Sequence, residues 1–388
     1  MAVNTAVPAN NGPVAVYNGK EFTNLQDAAN ATLKYKVLKL MADVTVEELN
    51  IKESITIDLN GYSLEGVTIN IKAGKTLTLI GEGGLIAAIE GNVNLNGANV
   101  GKATVTNGTF TIKAGTVTEI TLGEGGVLKG TFANAAKINA AAHVLNYSKA
   151  MFGYYGDIYT ALAATAKSYT LVLDSNVKLT KALEPTVSIA LNLNGKTISG
   201  NVEAGQSLII NTKGLTISDS SEEKTGAIVA TFTGSVDNSK SANTITNRST
   251  LTVNAGKIVN NGSTAQIGYA IDNLAGATLT VKGGEITANG GYNDAIRLCC
   301  NASAETKVTV SGGVISSIWA QNPTTDKAGE VKGTVQISGG EISIVYYENY
   351  TTVKVKGGTV NNIVAYGDGT AKTPKKDSAG WTVYAFQN

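Results

Sequence analysis

The chain has 388 residues, with 31 basic and 30 acidic side chains, and only 16% of its residues are charged. So balanced a surface excludes bulk electrostatic attraction to nucleic acid or anionic membrane. No run of about 18 apolar residues offers a transmembrane helix, and the two cysteines, Cys299 and Cys300, are adjacent, which is neither a disulfide framework nor a zinc pattern.

Gly is abundant at 44 residues, Pro scarce at 5, and aromatics make up 6%. Val, Ile, Leu and Thr dominate, which suits a core of stacked strands on pleated surfaces. Residues 1–13 are polar, Pro-broken and without period, and read as an N-terminal arm. They lack the basic and apolar regions of a secretory signal. Such an arm can order on a partner, with Val3, Val7 and Val14 filling pockets.

Residues 14–148 form the first expected unit. It opens on a short amphipathic helix, with Leu25, Ala28, Ala29 and Leu33 on one face and Thr23 or Asn24 as N-cap. Strict alternation follows. Ile55, Ile57 and Leu59 oppose Thr56 and Asp58, and Leu77 and Leu79 oppose Thr76 and Thr78. Asn-Gly pairs at 60–61, 96–97 and 194–195 fit type I′ hairpins or sharp corners. The repeats favour corners. Short strand segments crowd 107–132, and an Ala-, Asn- and Tyr-rich stretch from Ala133 to Tyr155 reads as a junction.

The opening then recurs, and 149–388 is the second expected unit. Phe22–Ala29 aligns with Tyr159–Ala166 at an offset of 137, and Ile57–Leu64 aligns with Ala190–Ile198 at 134. Leu162, Ala166 and Tyr169 supply the apolar face of the second helix. A short helix at each start covers the apolar cross-section and unpaired edge that a stack of strands would expose.

Within the second unit a three-phrase pattern repeats. Ala270-Ile271-Asp272-Asn273, Thr278-Leu279-Thr280-Val281 and Gly283-Gly284-Glu285-Ile286 return, wholly or in part, around Gly256, Gly312-Gly313, Gly339-Gly340 and Gly357-Gly358. The matching aliphatics Ile258, Ile286, Ile315, Ile342 and Val360 are 28, 29, 27 and 18 residues apart. Fixed periods in this range mark repeat architectures. Three short strands per period predict an all-β fold, a parallel β-helix solenoid, with these aliphatics stacked as one interior ladder. Sandwich and antiparallel topologies are the competitors. Trp381 and Tyr384-Ala385-Phe386 read as a closing strand.

Leu193–Ile198, Leu215–Ser221 and Ala270–Asn273 with Gly283–Ile286 resemble the right-handed β-helix repeat proteins of gut bacteria and their phages. The resemblance covers most of 149–388 and, more loosely, 35–130. It implies the right-handed β-helix and no particular activity. The start at Met1 and the lack of a recognisable anchoring tail point, by that resemblance, to a phage virion.

Chemistry-bearing residues are sparse. Glycoside hydrolysis needs two carboxylates about 5–10 Å apart, and no Asp-x-Asp or Asp-Asp occurs. Glu285, Asp294, Glu305, Asp326 and Glu330 are scattered, and Asp294 with Arg297 reads as a surface ion pair. The single histidine, His143, lies in the junction without a serine-and-aspartate arrangement around it. Neither catalytic residues, a cofactor nor a metal is expected. The aromatics are more suggestive. Alignment on the Gly-Gly pairs puts Trp319 at the position of Tyr346, with Tyr347, Tyr350 and Tyr366 close by. Such a set stacks on sugar rings or on another subunit, or simply packs at the surface.

These readings converge on a non-enzymatic virion structural protein, a fibre or decoration. Its arm holds other capsid or tail proteins, and its projecting face contacts host glycans. A homo-oligomer, a trimer before a dimer, is expected at its base. A secreted adhesin on the bacterial surface is the second reading, and a polysaccharide lyase or hydrolase the third.

Overall fold

The computed structural model describes residues 12–290, 293–300, 304–322, 333–366 and 370–386. The protein is almost all β, 61% strand and 4% helical, in a long, mostly parallel sheet. Contacts divide the chain into two units. One holds the segments up to Val144 together with Met151–Ala163. The other holds Leu145–Ala150 and everything from Ala164 onward.

The second unit is built from three parallel ladders visited in turn. The first joins Ile189–Asn192, Leu215–Ser218, Thr250–Val253 and Thr278–Val281. The second joins Val177–Leu179, Thr197–Val202, Ala227–Phe232, Lys257–Asn261 and Glu285–Asn289. The third joins Ser207–Asn211, Ala242–Asn247, Gly268–Asn273 and Asn293–Cys299. From Thr306 the three segments of a period fuse into single long strands, Thr306–Gln321, Gly333–Tyr347 and Thr351–Ala365.

The expected aliphatic ladder is present in register. Ile258, Ile286, Ile315, Ile342 and Val360 are successive neighbours. The four isoleucines are fully buried, and Val360, in the last long strand, is half-buried. Thr278 and Thr280, between buried Leu279 and Val281, are half-exposed, as period two requires. The Gly-Gly corners have a steric cause. Gly313 and Gly340 hold φ of 90° and 88°, and a Cβ on Gly340 would lie 2.8 Å from the Gly313 carbonyl oxygen one period before. Only glycine accepts both that φ and that approach.

A second interior ladder is polar. Asn211, Asn247 and Asn273 are fully buried. Asn211 Nδ2 donates to Asn247 Oδ1 at 2.7 Å, and Asn247 Nδ2 donates to Asn273 Oδ1 at 2.6 Å. Each amide also donates to a backbone carbonyl, of Thr250, Thr278 and Lys307 respectively. Buried amides are tolerated because the stack satisfies them.

The first unit stacks more tightly. Its longest strand, Asn92–Gly130, runs without a break where separate short segments were expected, and it pairs in parallel with earlier and later strands. Its period is 17 residues at Asn92, whose Oδ1 accepts from the Thr109 N–H at 2.9 Å. The helix Leu25–Ala31 buries Leu25, Ala28 and Ala29, and Asn24 is its N-cap. Leu33 lies beyond the helix and is 65% exposed, not on its apolar face. Gln26 explains how the helix covers an edge. Its Oε1 accepts from the Asn50 N–H at 2.6 Å and its Nε2 donates to the Asn50 carbonyl at 2.9 Å. The edge strand Glu48–Ile51 thereby gains side-chain partners for its backbone.

The duplicated opening is real, but its helices align differently from the expectation. Asp157 caps Ile158–Ala163 through the N–H groups of Tyr159 and Thr160, as Asn24 caps the first helix. Ile158 and Ala161 are buried, Leu162 is half-buried and Ala166 is exposed. The offset is therefore 133, not 137. A four-residue slip is one helical turn and keeps the apolar stripe, so the alignment by pattern was degenerate. By contacts this helix groups with the first unit rather than opening the second.

Two of the three Asn-Gly pairs bend the chain between ladders rather than closing hairpins, while the third, Asn96-Gly97, lies inside the long strand Asn92–Gly130. Asn60 and Asn194 have φ of 52° and 49°, and the strands before them pair in parallel with other periods. The Asn60 amide donates to the Leu40 carbonyl at 2.9 Å, and the Asn194 amide to the Leu173 carbonyl at 3.0 Å. At the chain's end Thr382–Tyr384 pairs antiparallel with Thr351–Ala365, and Phe386 is buried against Tyr347. That is the expected closing strand.

Candidate functional site

The third ladder of the second unit carries the polar side chains. In-register pairing places Thr246, Asp272, Arg297, Trp319, Tyr346 and Val364 side by side along it. Five steps of about 4.8 Å make a row of roughly 24 Å. A groove of about 870 Å³ runs along this side, lined among others by Gln206, Asn243, Tyr269, Asp272, Arg297 and Trp319.

Arg297 is the centre of the groove wall. Its Nε donates to Asp272 Oδ1 and its Nη2 to Asp272 Oδ2, both at 2.7 Å. Asn243 Nδ2 adds a third bond to Asp272 Oδ2 at 3.2 Å, and Arg297 Nη1 reaches Gln321 Oε1 at 3.3 Å. The guanidinium lies 4.5 Å from the Tyr269 ring centroid, within cation–π range. Burial works against the Arg297 charge, but the bonds and charge of Asp272 outweigh it and hold the guanidinium protonated. Burial pushes the Tyr269 hydroxyl up to about 12, so it stays neutral.

The ion pair differs from the expected Asp294–Arg297 contact. Residues three apart in a strand point to opposite faces, whereas Arg297 stacks on Asp272 one period earlier. Burial instead raises the Asp294 carboxyl, against the pull of the Ser317 hydroxyl.

Trp319 is fixed in the same way. Its Nε1 donates to Glu348 Oε1 at 2.9 Å, and the Asn322 N–H donates to Glu348 Oε2 at 2.9 Å. Burial raises the Glu348 carboxyl, partly offset by these two bonds. Trp319 and Tyr346 are half-exposed neighbours, as the Gly-Gly alignment predicts. Tyr347 faces the interior, 3% exposed, so it does not join the row. Tyr350 sits half-buried at the turn before the next long strand, and Tyr366 lies just past that strand, 59% exposed. Of the five aromatics, two share the row.

The remaining candidates sit elsewhere. Val3 and Val7 lie outside the described residues. Val14 is not free for a partner: its N–H donates to the Phe22 carbonyl, its carbonyl accepts from Met41, and it packs on the first unit's core. His143 packs at 5.3 Å from Tyr154 in the first unit. Cys300 is buried and its thiol donates to the Gln321 carbonyl at 3.0 Å; burial pushes that thiol up to about 12. Among the described residues no three His, Cys, Asp or Glu side chains gather as metal ligands. Likewise, no described helix is long and apolar enough to cross a membrane.

The residues missed from sequence are Asp272, as the partner of Arg297, and the buried asparagines. The signal was present in Ile209-Ile210-Asn211, Ile245-Thr246-Asn247 and Ile271-Asp272-Asn273, where Asn shares the parity of the buried Ile. No family model, curated protein or solved structure matches this chain.

Proposed function

We propose that the chain is a non-enzymatic display and adhesion protein, a right-handed parallel β-helix whose third face seats a saccharide chain. The winding is supported by the order of pairing. Three ladders are visited in the same sequence in every period, and crossovers between parallel strands are right-handed in about 98% of cases.

The observation that carries the ligand class is the groove with Trp319 at its wall. A sugar offers an apolar ring face and a rim of hydroxyls. Trp319, pinned by Glu348 and flanked by Tyr346, supplies a pre-oriented aromatic surface. Gln206 and Asn201 supply amides along the same groove. Such a wall orders little on binding.

The absence of catalysis is supported by how the carboxylates are used. Both oxygens of Asp272 are engaged by Arg297 and both of Glu348 by Trp319 and the Asn322 N–H. Carboxylates held this way orient neighbours rather than move protons. Display on a phage particle as a trimeric fibre rests on the sequence resemblance.

A polysaccharide panel tests the reading. Immobilised protein is expected to retain a polymer, and Trp319→Ala to release it. Neither new reducing ends nor unsaturated products should appear above a heat-killed control. Cleavage would overturn the non-enzymatic reading. Retention unaffected by Trp319→Ala would move the site elsewhere.

A further inference from the structure

The second unit's stack is closed at its last layer over one half only. Thr382–Tyr384 pairs antiparallel with Val353, Lys354 and Val355, and Lys375–Lys376 pairs in turn with Thr382–Tyr384. Over 357–365, the rest of the last long strand, no strand among the described residues pairs on the outer side. The interior shows there. Val360 and Ile363 are half-buried, whereas Ile342 and Val345, their neighbours one period earlier, are 1% and 0% exposed. The two halves also end differently. The covered half finishes on two exposed lysines, Lys375 and Lys376, the kind of side chain that keeps an edge from pairing. The open half, Gly-Gly-Thr-Val-Asn-Asn-Ile-Val-Ala, has neither charge nor proline. An edge that shows apolar side chains and lacks such guards is a template for another strand.

We infer that this edge takes an extended segment from a second copy of the chain, residues 2–7. The shape of the end selects one strand rather than the end of another stack. Thr382–Tyr384 and Lys375–Lys376 stand one and two strands, about 5 and 10 Å, beyond the last layer, so a second flat end is held off 357–365. A single strand laid in that step reaches the open backbone. Residues 2–7, Ala-Val-Asn-Thr-Ala-Val, are uncharged like the edge. Val3, Thr5 and Val7 alternate with Ala2, Asn4 and Ala6, so an extended segment turns both valines to one side, toward the exposed aliphatics. Pro8 stops the pairing where the segment ends. Val14, bonded to Phe22 and Met41, roots the segment in the first unit, and the edge belongs to the second. A contact between unlike surfaces of two copies is head-to-tail, so it runs on into a filament or closes into a ring. It is independent of the saccharide groove.

Sedimentation of the full chain over a range of concentrations tests the assembly. Dimers and longer species should grow with concentration, and removal of residues 2–7 should leave monomer. A synthetic peptide of residues 1–11 should bind the shortened protein, read by fluorescence anisotropy. Val3→Asp with Val7→Asp in the peptide, and Ile363→Lys in the protein, should each weaken that binding about tenfold or more, from lost apolar burial. The peptide variant leaves the folded protein untouched, so its result stands even where Ile363→Lys lowers the melting temperature. A full chain that stays monomeric at every concentration would overturn the second copy. Peptide binding to the shortened protein alone would then give the edge to the chain's own segment. Oligomers that survive the deletion, or peptide binding indifferent to both sets of variants, would overturn the edge as the site.

Discussion

The two units open alike and then diverge. Each duplicated opening has an Asx-capped helix, Asn24 in one and Asp157 in the other, although the second helix groups by contacts with the first unit. Each then uses an asparagine in left-handed conformation to hold a carbonyl of the preceding strand, Asn60 with Leu40 and Asn194 with Leu173. Downstream, paired residues of the first unit lie 16 to 22 apart in sequence, and its buried cluster is aliphatic with a few aromatics. The second repeats at 27 to 29 residues between Ile258 and Ile342, and it buries an asparagine ladder and an ion pair. Both units stack parallel ladders, and in the second the outer row of the third ladder carries polar groups. The comparison teaches that local side-chain-to-backbone bonds recur where a stack starts, while the residues at its inward positions decide what the stack holds.

The largest effect should come from the shared feature, the aliphatic interior. Ile286→Asp puts an unpaired charge between Ile258 and Ile315. The cost should be about 5 kcal/mol or more, enough to unfold that region. Thermal melting and hydrogen exchange check it. Unchanged protection across 258–315 would remove the ladder as the organising element.

Next comes the feature confined to the second unit. Arg297→Ala leaves the Asp272 carboxylate 4% exposed without its cation. Breaking a buried pair from one side costs about 3–5 kcal/mol. The double variant Arg297→Leu with Asp272→Leu should recover most of that loss. If both variants melt together, the pair is not the source of the penalty.

These contrasts show what a sequence reader can and cannot see. The register of Ile258, Ile286, Ile315 and Ile342 was legible because a single glycine, Gly256, or a glycine pair precedes each of them and spacing does the rest. The neighbouring Trp319 and Tyr346 were legible for the same reason. The Arg297 partner was not, because stacking joins residues one period apart while the eye joins residues three apart. The buried asparagines were not legible, since a lone Asn has no reason to be inside. Only the row of three, each donating to the next, makes burial tolerable.

That row is the third prediction. Asn247→Leu keeps volume but leaves Asn273 Oδ1 without its donor at 2.6 Å. An unsatisfied buried acceptor costs about 1–3 kcal/mol. Denaturant titration of the variant measures it, and a change within error of zero would mean that the ladder is decorative. A conservative change of the first unit's aliphatic neighbours, Ile57→Val for example, should cost about 1 kcal/mol, from lost volume alone.

The smallest effect separates the two openings by pH. At the first corner the Gly61 N–H donates to a backbone carbonyl, that of Glu82, at 2.5 Å. At the second the equivalent Gly195 N–H donates to the Asp219 carboxylate at 2.8 Å. Asp219 also accepts from the Ser221 N–H and hydroxyl and from the Gly226 N–H. Burial would raise this carboxyl, but the bonds from Ser221, Gly195 and Gly226 win and hold it below its ordinary 3.8. A depressed carboxyl contributes stability that is fully present above the unfolded value. That contribution is lost as pH falls through the lower folded value. The bond at Gly195 should therefore weaken in acid where the bond at Gly61, made to a carbonyl, does not. The contrast is confined to these two amides, since at the first corner the neighbouring Asn60 N–H donates to the Asp58 carboxylate at 3.0 Å. Asp219→Asn should cost about 1 kcal/mol at neutral pH, from the Gly226 N–H left facing an amide. Its difference from the parent protein should shrink below pH 3.8, read by hydrogen exchange at Gly195 against Gly61. Equal acid sensitivity at both glycines would mean that the two corners are held by the same forces, and the distinction drawn between them would fail.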